Sequence, residues 1–218
     1  MPQAPAVIEA RQRAVQQIDA AASVADLTDA ARRIEDTVRR LHGSGVAIES
    51  IARQVSDLNT RLFARLWALL APAEVQANSC LLVMGSEGRS EQILKTDQDN
   101  ALLLHDGFEA PGLESLAHEF NAALAQMGYP PCPGQIMVTN PVWRQPLAAF
   151  KETMRGWIYG HDPEGPMQLA IFFDAACVAG DATLLQQARA YLDLALSGQD
   201  QYLARFAAAA DQFQEPGN

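Results

Sequence analysis

The sequence predicts an α+β protein, a small mixed sheet with helices at both ends. Three observations lead there. Long stretches toward both termini place apolar residues at helical spacing. Short apolar runs in the middle, "CLLVMG", "NALLLH" and "QLAIFF", have the length and composition of buried strands. Helical patterns separate those runs and no segment repeats, which is the order of an α+β chain.

The elements follow in order. Residues 6–41 read as helical, with Val7, Ile8, Ala14, Val15, Ile18, Ala22, Leu27, Ala31, Ile34, Val38 and Leu41 recurring at roughly helical spacing between arginines and acids. Ser23 and Asp26 mark a break and a fresh cap inside that stretch. "HGSG" at 42–45 is a turn, and a second helix over about 46–70 carries Ile48, Ile51, Val55, Leu58, Leu62, Leu66 and Leu69 on one side until Pro72 stops it. This N-terminal helical region, 1–72, is expected to cover a sheet. The core, 73–180, opens with strands at 80–85 and 100–105 and a helix over 113–127 ended by Gly128. "YPPCPG" at 129–134 is a rigid loop, because each proline fixes φ and removes a donor. "QIMVT" at 135–139 reads as a short strand. Asn140 then caps a helix with Pro141 at its first position and Leu147, Phe150, Met154, Trp157 and Ile158 on its apolar face. "DPEGP" breaks that helix, and 168–180 holds a third strand-like run that ends at Asp174. Asp181 caps a helix over 182–196, and a last alanine-rich helix is expected over 199–213, within a C-terminal region of 181–218.

Composition narrows the function. The 218 residues carry a formal net charge of −10, and an acidic surface repels phosphate backbones, which argues against nucleic acid as a partner. A nucleotide remains open, since a metal-loaded pocket reverses the local sign. The three cysteines are far apart without a CxxC, as expected of free thiols in a reducing cytosol, and the histidines lack zinc-ligand spacing. The N-terminus lacks the charged start and apolar block of a signal peptide, and the apolar runs are too short to span a bilayer. The expectation is a soluble cytoplasmic protein with no membrane partner.

The chemistry concentrates in "LLVMGSEGRSEQILKTDQDNALLLHDG", residues 81–107. Strand side chains alternate, so Asp97 and Asp99 share a face, while Gln98 and Asn100 point away into core or supporting hydrogen bonds. Two carboxylates so close repel each other until a divalent cation joins them. Mg²⁺ suits one or two carboxylates plus substrate phosphates, with Mn²⁺ the alternative. The Gly85-Ser86 turn would bring exposed N–H groups and a hydroxyl to phosphate oxygens, with Arg89 and Lys95 as the nearest cations in sequence. Neither GxxxxGK[ST] nor GxGxxG is present, so this is not a common nucleotide loop. Trp143 reads as core; Arg144 is balanced between a nucleotide contact and a salt bridge.

A Gly-Ser turn closing one strand, followed by DxD opening the next, resembles the polymerase-β-like nucleotidyltransferases. More specifically, "GSEGRSEQILKTDQDNALL", with "MVTNPVWRQPL" and "IFFDAACVAGD", resembles the DUF294-type nucleotidyltransferase module found beside CBS or cyclic-nucleotide-binding domains in bacteria, over about residues 45–195. That module is related to the N-terminal domain of the PII uridylyltransferases. The resemblance implies a sheet of the polymerase-β-like type, metal-binding aspartates at Asp97 and Asp99, a third catalytic and metal-binding acid at Asp174 that completes a second metal site, and phosphate contacts at Gly85 and Ser86. It also implies a longer C-terminal helical domain than the one that stops here at about 213. The expected activity is transfer of an NMP from ATP or UTP to a hydroxyl on a protein or small acceptor, with release of pyrophosphate. The alternative is a catalytically silent nucleotide-sensing or interaction module of the same fold; a DxD glycosyltransferase fits the Gly-Ser turn and chain length less well.

Overall fold

A computed structural model describes residues 5–42, 48–88, 95–160 and 163–197. The N-terminal stretch divides as its caps predict, into α1 (Pro5–Ala20) and α2 (Val24–His42). Ser23 Oγ accepts from the Asp26 N–H at 3.2 Å and Asp26 Oδ2 accepts from the Ala22 N–H at 3.0 Å, a reciprocal pair that ends one helix and starts the next. α3 (Ile48–Leu70) follows, and Pro72 leads into the single turn of α4 (Ala73–Ala77). The expected turn at 43–45, the expected helix over 199–213 and the Arg89 position lie outside the described residues.

The sheet is built from β1 (Ser79–Val83), β2 (Asn100–Leu104), β3 (Arg144–Pro146) and β4 (Ala176–Gly180), in the order β3-β2-β1-β4. β1 pairs antiparallel with both β2 and β4, and β2 pairs parallel with β3, so the sheet is small and mixed as predicted. Every residue of β1 and β2 is buried. Alternation sends Leu81, Val83, Leu102 and Leu104 into one core with α1–α3 and with α6 (Leu113–Gln126). It sends Cys80, Leu82, Ala101 and Leu103 into a second core. That core is completed by α7 (Leu147–Tyr159), α8 (Gly165–Phe173) and α9 (Thr183–Leu196). Burial on both faces explains why the strands read as unbroken apolar runs.

Three local expectations are corrected. "QLAIFF" is helix, not strand: it lies in α8, which Pro166 opens, and Asp174 is the residue at its C-terminal end. An apolar run of this length has no period by which strand and buried helix can be told apart. The strand of this region is β4, which begins after Asp174. "QIMVT" is not a strand of the sheet; Gln135 takes φ +54°, and the Val138 N–H goes to the Asn100 side chain instead of a neighbouring strand. Asn140 does cap Pro141, accepting from the Val142 N–H at 3.1 Å, but the helix it starts is one 3-10 turn, Pro141–Trp143. β3 intervenes before α7 begins at Leu147, and Trp143 is core, packed on Phe150 and Trp157.

A buried polar network secures the start of β2. Gln98 and Asn100 turn away from the aspartates as expected. Asn121 of α6 donates to Gln98 Oε1 at 2.6 Å and to Asn100 Oδ1 at 3.2 Å, while Gln98 Nε2 donates to the carbonyls of Asn121 and Tyr129. The same Asn100 oxygen accepts from the Val138 N–H at 2.9 Å. Removing one member strands its partners without water. Asn121→Leu is expected to lower unfolding stability by about 2 kcal/mol, measured by urea denaturation; a loss under about 0.5 kcal/mol would show that the network contributes no structural support.

Candidate functional site

β1 delivers the chain to the site. The Met84 N–H donates to the Asp99 carbonyl at 2.9 Å, one step past the β1–β2 ladder. Gly85 then turns out of the sheet at φ +60°, and Gly85–Gly88 makes a single helical turn (α5), closed by the Gly88 N–H on Met84 O at 3.2 Å. Two reasons require glycine at 85. Its φ lies in the left-handed region, and a Cβ there would stand 2.8 Å from Asp99 Oδ2. The carboxylate occupies the space that a side chain would fill. Gly85→Ala is expected to displace Asp99 and to cost the fold about 1 kcal/mol, read by thermal unfolding.

Asp97 and Asp99 come together on one side, both half-buried. Their carboxylate oxygens and the Cys132 Sγ all lie within 4.8 Å of one another. The third member arrives on the rigid loop. The Gln98 N–H donates to Pro130 O at 2.9 Å, Gln98 bridges Pro131 in parallel fashion, and the Asn100 N–H donates to Ile136 O at 2.9 Å. The loop thus lies strapped along 98–100 with Cys132 beside the acids. Sequence reasoning treated Cys132 as an ordinary free thiol. The signal available was its place between Pro131 and Pro133, in a loop too stiff to collapse elsewhere.

Burial pushes the Asp99 carboxyl up to about 6; the hydrogen bond with Cys132 works in the opposite direction, and the Asp97 charge adds to the rise. Burial also lifts the Cys132 thiol to about 11, with the Asp99 carboxylate adding to it. Two acids and a thiol this close form a group that could hold a metal ion.

The other predicted residues are distributed around this cluster. Lys95 does not turn toward the aspartates: its Nζ donates to Met127 O at 2.6 Å, lies 3.4 Å from Glu35 and sits 5.6 Å from the Tyr129 ring centroid. It joins α2 to the end of α6. Arg144 donates to the carbonyls of Val138 and Thr139, a role that neither of its two sequence readings named. The Ser86 side chain, like Arg89, is outside the described residues. Asp174 is not a member of the three-donor cluster. It lines a cleft of about 500 Å³ with Gly88, Phe173, Cys177 and Arg189. A Cβ on Gly88 would meet the Asp174 carbonyl at 1.9 Å, so the turn touches Asp99 at its first residue and Asp174 at its last.

Among the described residues, no helix is long and apolar enough to cross a membrane. The family model described as "Putative nucleotidyltransferase DUF294" matches residues 32–164, more than half of the chain. No curated protein matches it.

Proposed function

The chain belongs to the DUF294 nucleotidyltransferase family, and from that premise we propose that it is a metal-dependent enzyme that moves an NMP from an NTP to a hydroxyl acceptor and releases pyrophosphate. The observation that carries this reading is the packing of Asp99 into the space left by Gly85, beside Asp97 and Cys132. Asp97 and Asp99 would hold a divalent cation, Mg²⁺ or Mn²⁺, while Cys132, a soft thiol that burial keeps protonated, would stand beside it without being a ligand. Bound there, the cation supplies charge neutralisation for the triphosphate and for the attacking and leaving oxygens of an in-line displacement. The two carboxylates are hard ligands suited to either ion.

The remaining work falls to the chain. The main chain of the Gly85–Gly88 turn and the Ser86 hydroxyl are assigned to the phosphates, and Arg89 to the charge of the leaving pyrophosphate. Lys95, tied to Met127 and Glu35, is assigned the upkeep of the fold around the site. Asp174, on the far side of the turn, is assigned to the acceptor hydroxyl and its proton. Catalysis of this kind is mostly positioning and charge stabilisation. The acidic surface favours a protein or small-molecule acceptor over nucleic acid, and kinship with the PII uridylyltransferases makes UTP and ATP the donors to try first. A cytoplasmic protein whose regions 1–72, 73–180 and 181–218 act together fits this role.

One observation favours a second reading. Asp174 is not part of the Asp97–Asp99–Cys132 group, and a nucleotide sensor of the same fold would need no third acid there. Titration calorimetry with each NTP, with and without Mg²⁺ or Mn²⁺, tests what the two readings share; NTP binding that ignores the metal would sink both. Pyrophosphate release with candidate acceptors then separates enzyme from sensor.

A further inference from the structure

Away from the acids, β1 and β4 bring two thiols together. Cys80 Sγ lies 3.3 Å from Cys177 Sγ, although 97 residues separate them in sequence. The contact is made possible by an irregularity in the β1–β4 register between Leu81 and Leu82, which shifts the two strands along each other. Their surroundings differ sharply. Cys80 is fully buried, in the core formed with α7–α9. Cys177 is partly exposed and lines the 500 Å³ cleft beside Asp174 and Arg189. One thiol is therefore open to a small solute, and the other is sealed in protein at contact distance from it.

We propose that Cys80 and Cys177 form a peroxide-sensitive pair, in which Cys177 is the thiol attacked from the cleft and Cys80 the buried thiol that resolves it into an internal disulfide. In the first step the Cys177 thiolate attacks one oxygen of the hydroperoxide; the O–O bond breaks, an S–O bond forms, and hydroxide leaves. The product is the sulfenic acid of Cys177. In the second step Cys80 sulfur attacks the Cys177 sulfur, the S–O bond breaks and the oxygen departs as water with the Cys80 proton. Overall two thiols lose two electrons and one hydrogen peroxide becomes two waters. The sulfur atoms, 3.3 Å apart, need to close to about 2.05 Å.

The electrostatics favour the first step. The hydrogen bond from Cys80 favours the Cys177 thiolate, which is drawn down to about 7, while the same bond and burial raise Cys80. The crosslink would join the strand that leads into the Gly85 turn to the strand that follows Asp174, so it would tie together the two sides of the cleft.

The test uses the full chain, reduced and then exposed to stoichiometric hydrogen peroxide. The free thiols should fall from three to about one, and peptide mapping after alkylation should find a Cys80–Cys177 link that dithiothreitol reverses. Closing so long a loop should raise Tm by about 5–10 °C. Cys80→Ala should leave a sulfenic acid on Cys177 that dimedone traps, and Cys177→Ser, at the partly exposed position, should abolish both the link and the Tm shift. Oxidation of Cys132 ahead of Cys177, a disulfide between chains, or a Cys177 that oxidises without capturing Cys80 in the parent protein would each overturn the assignment. None of these readouts depends on nucleotide.

Discussion

Asp99→Asn is expected to weaken metal-dependent NTP binding by about 100-fold or more and to leave the metal-free fold as stable as the parent or more so. The substitution keeps the shape of the side chain and removes one charge. That charge is costly in the folded protein: burial is the first reason, and Asp97 is a further one. An amide in the same place still offers an oxygen to the Cys132 thiol and no longer repels Asp97. Relief of the repulsion should raise Tm by about 2–4 °C, while the loss of an anionic ligand removes the reason for the site. Calorimetric titration of Mg²⁺-NTP and a melting curve without metal give the two numbers from one preparation. Unchanged affinity would remove Asp99 from the metal site; a fall of several degrees in Tm would make it a structural residue.

Gly88→Ala is the largest structural effect expected, a loss of about 3 kcal/mol or more, up to failure to fold. Its Cβ would stand 1.9 Å from the Asp174 carbonyl oxygen and 3.3 Å from that of Val83, and both are backbone atoms in packed elements that cannot rotate away. Gly107 supplies the control. It has φ +79° and nothing within 4 Å of a Cβ, so Gly107→Ala carries only the conformational penalty, about 1 kcal/mol. Guanidinium chloride denaturation of the pair distinguishes a steric from a backbone-entropy origin. Comparable losses in both would show that the turn is not in close contact with the end of α8.

These two positions also mark how far the sequence could be read. β1 and β2 were legible because both faces are buried, which leaves runs of Leu and Val with little polar interruption. The aspartate pair was legible because alternation in extended chain is a local property, although the pair lies just ahead of β2 and not on it. The Asn121 network was half visible: the strand period turns Gln98 and Asn100 inward, yet only the fold supplies their partner. α8 was misread because a wholly apolar segment carries no period, and β3 because Pro141 starts a turn that is abandoned after Trp143. The contacts of Cys132 and Lys95 were hidden for a common reason. Nearness in sequence drew Lys95 to the aspartates, whereas its ion-pair partner Glu35 is 60 residues away. Distance in sequence hid Cys132, which the strapped loop returns to Asp99.

The two-sided burial of the central strands bears on engineering. A graft of residues 79–104 onto another scaffold would carry alternate leucines facing opposite ways, each needing its own hydrocarbon wall. Leu81 would have to meet a surrogate for α3 and α6, and Leu82 a surrogate for α7 and α9. The smallest transplantable unit is therefore a slice through all three layers, helices included.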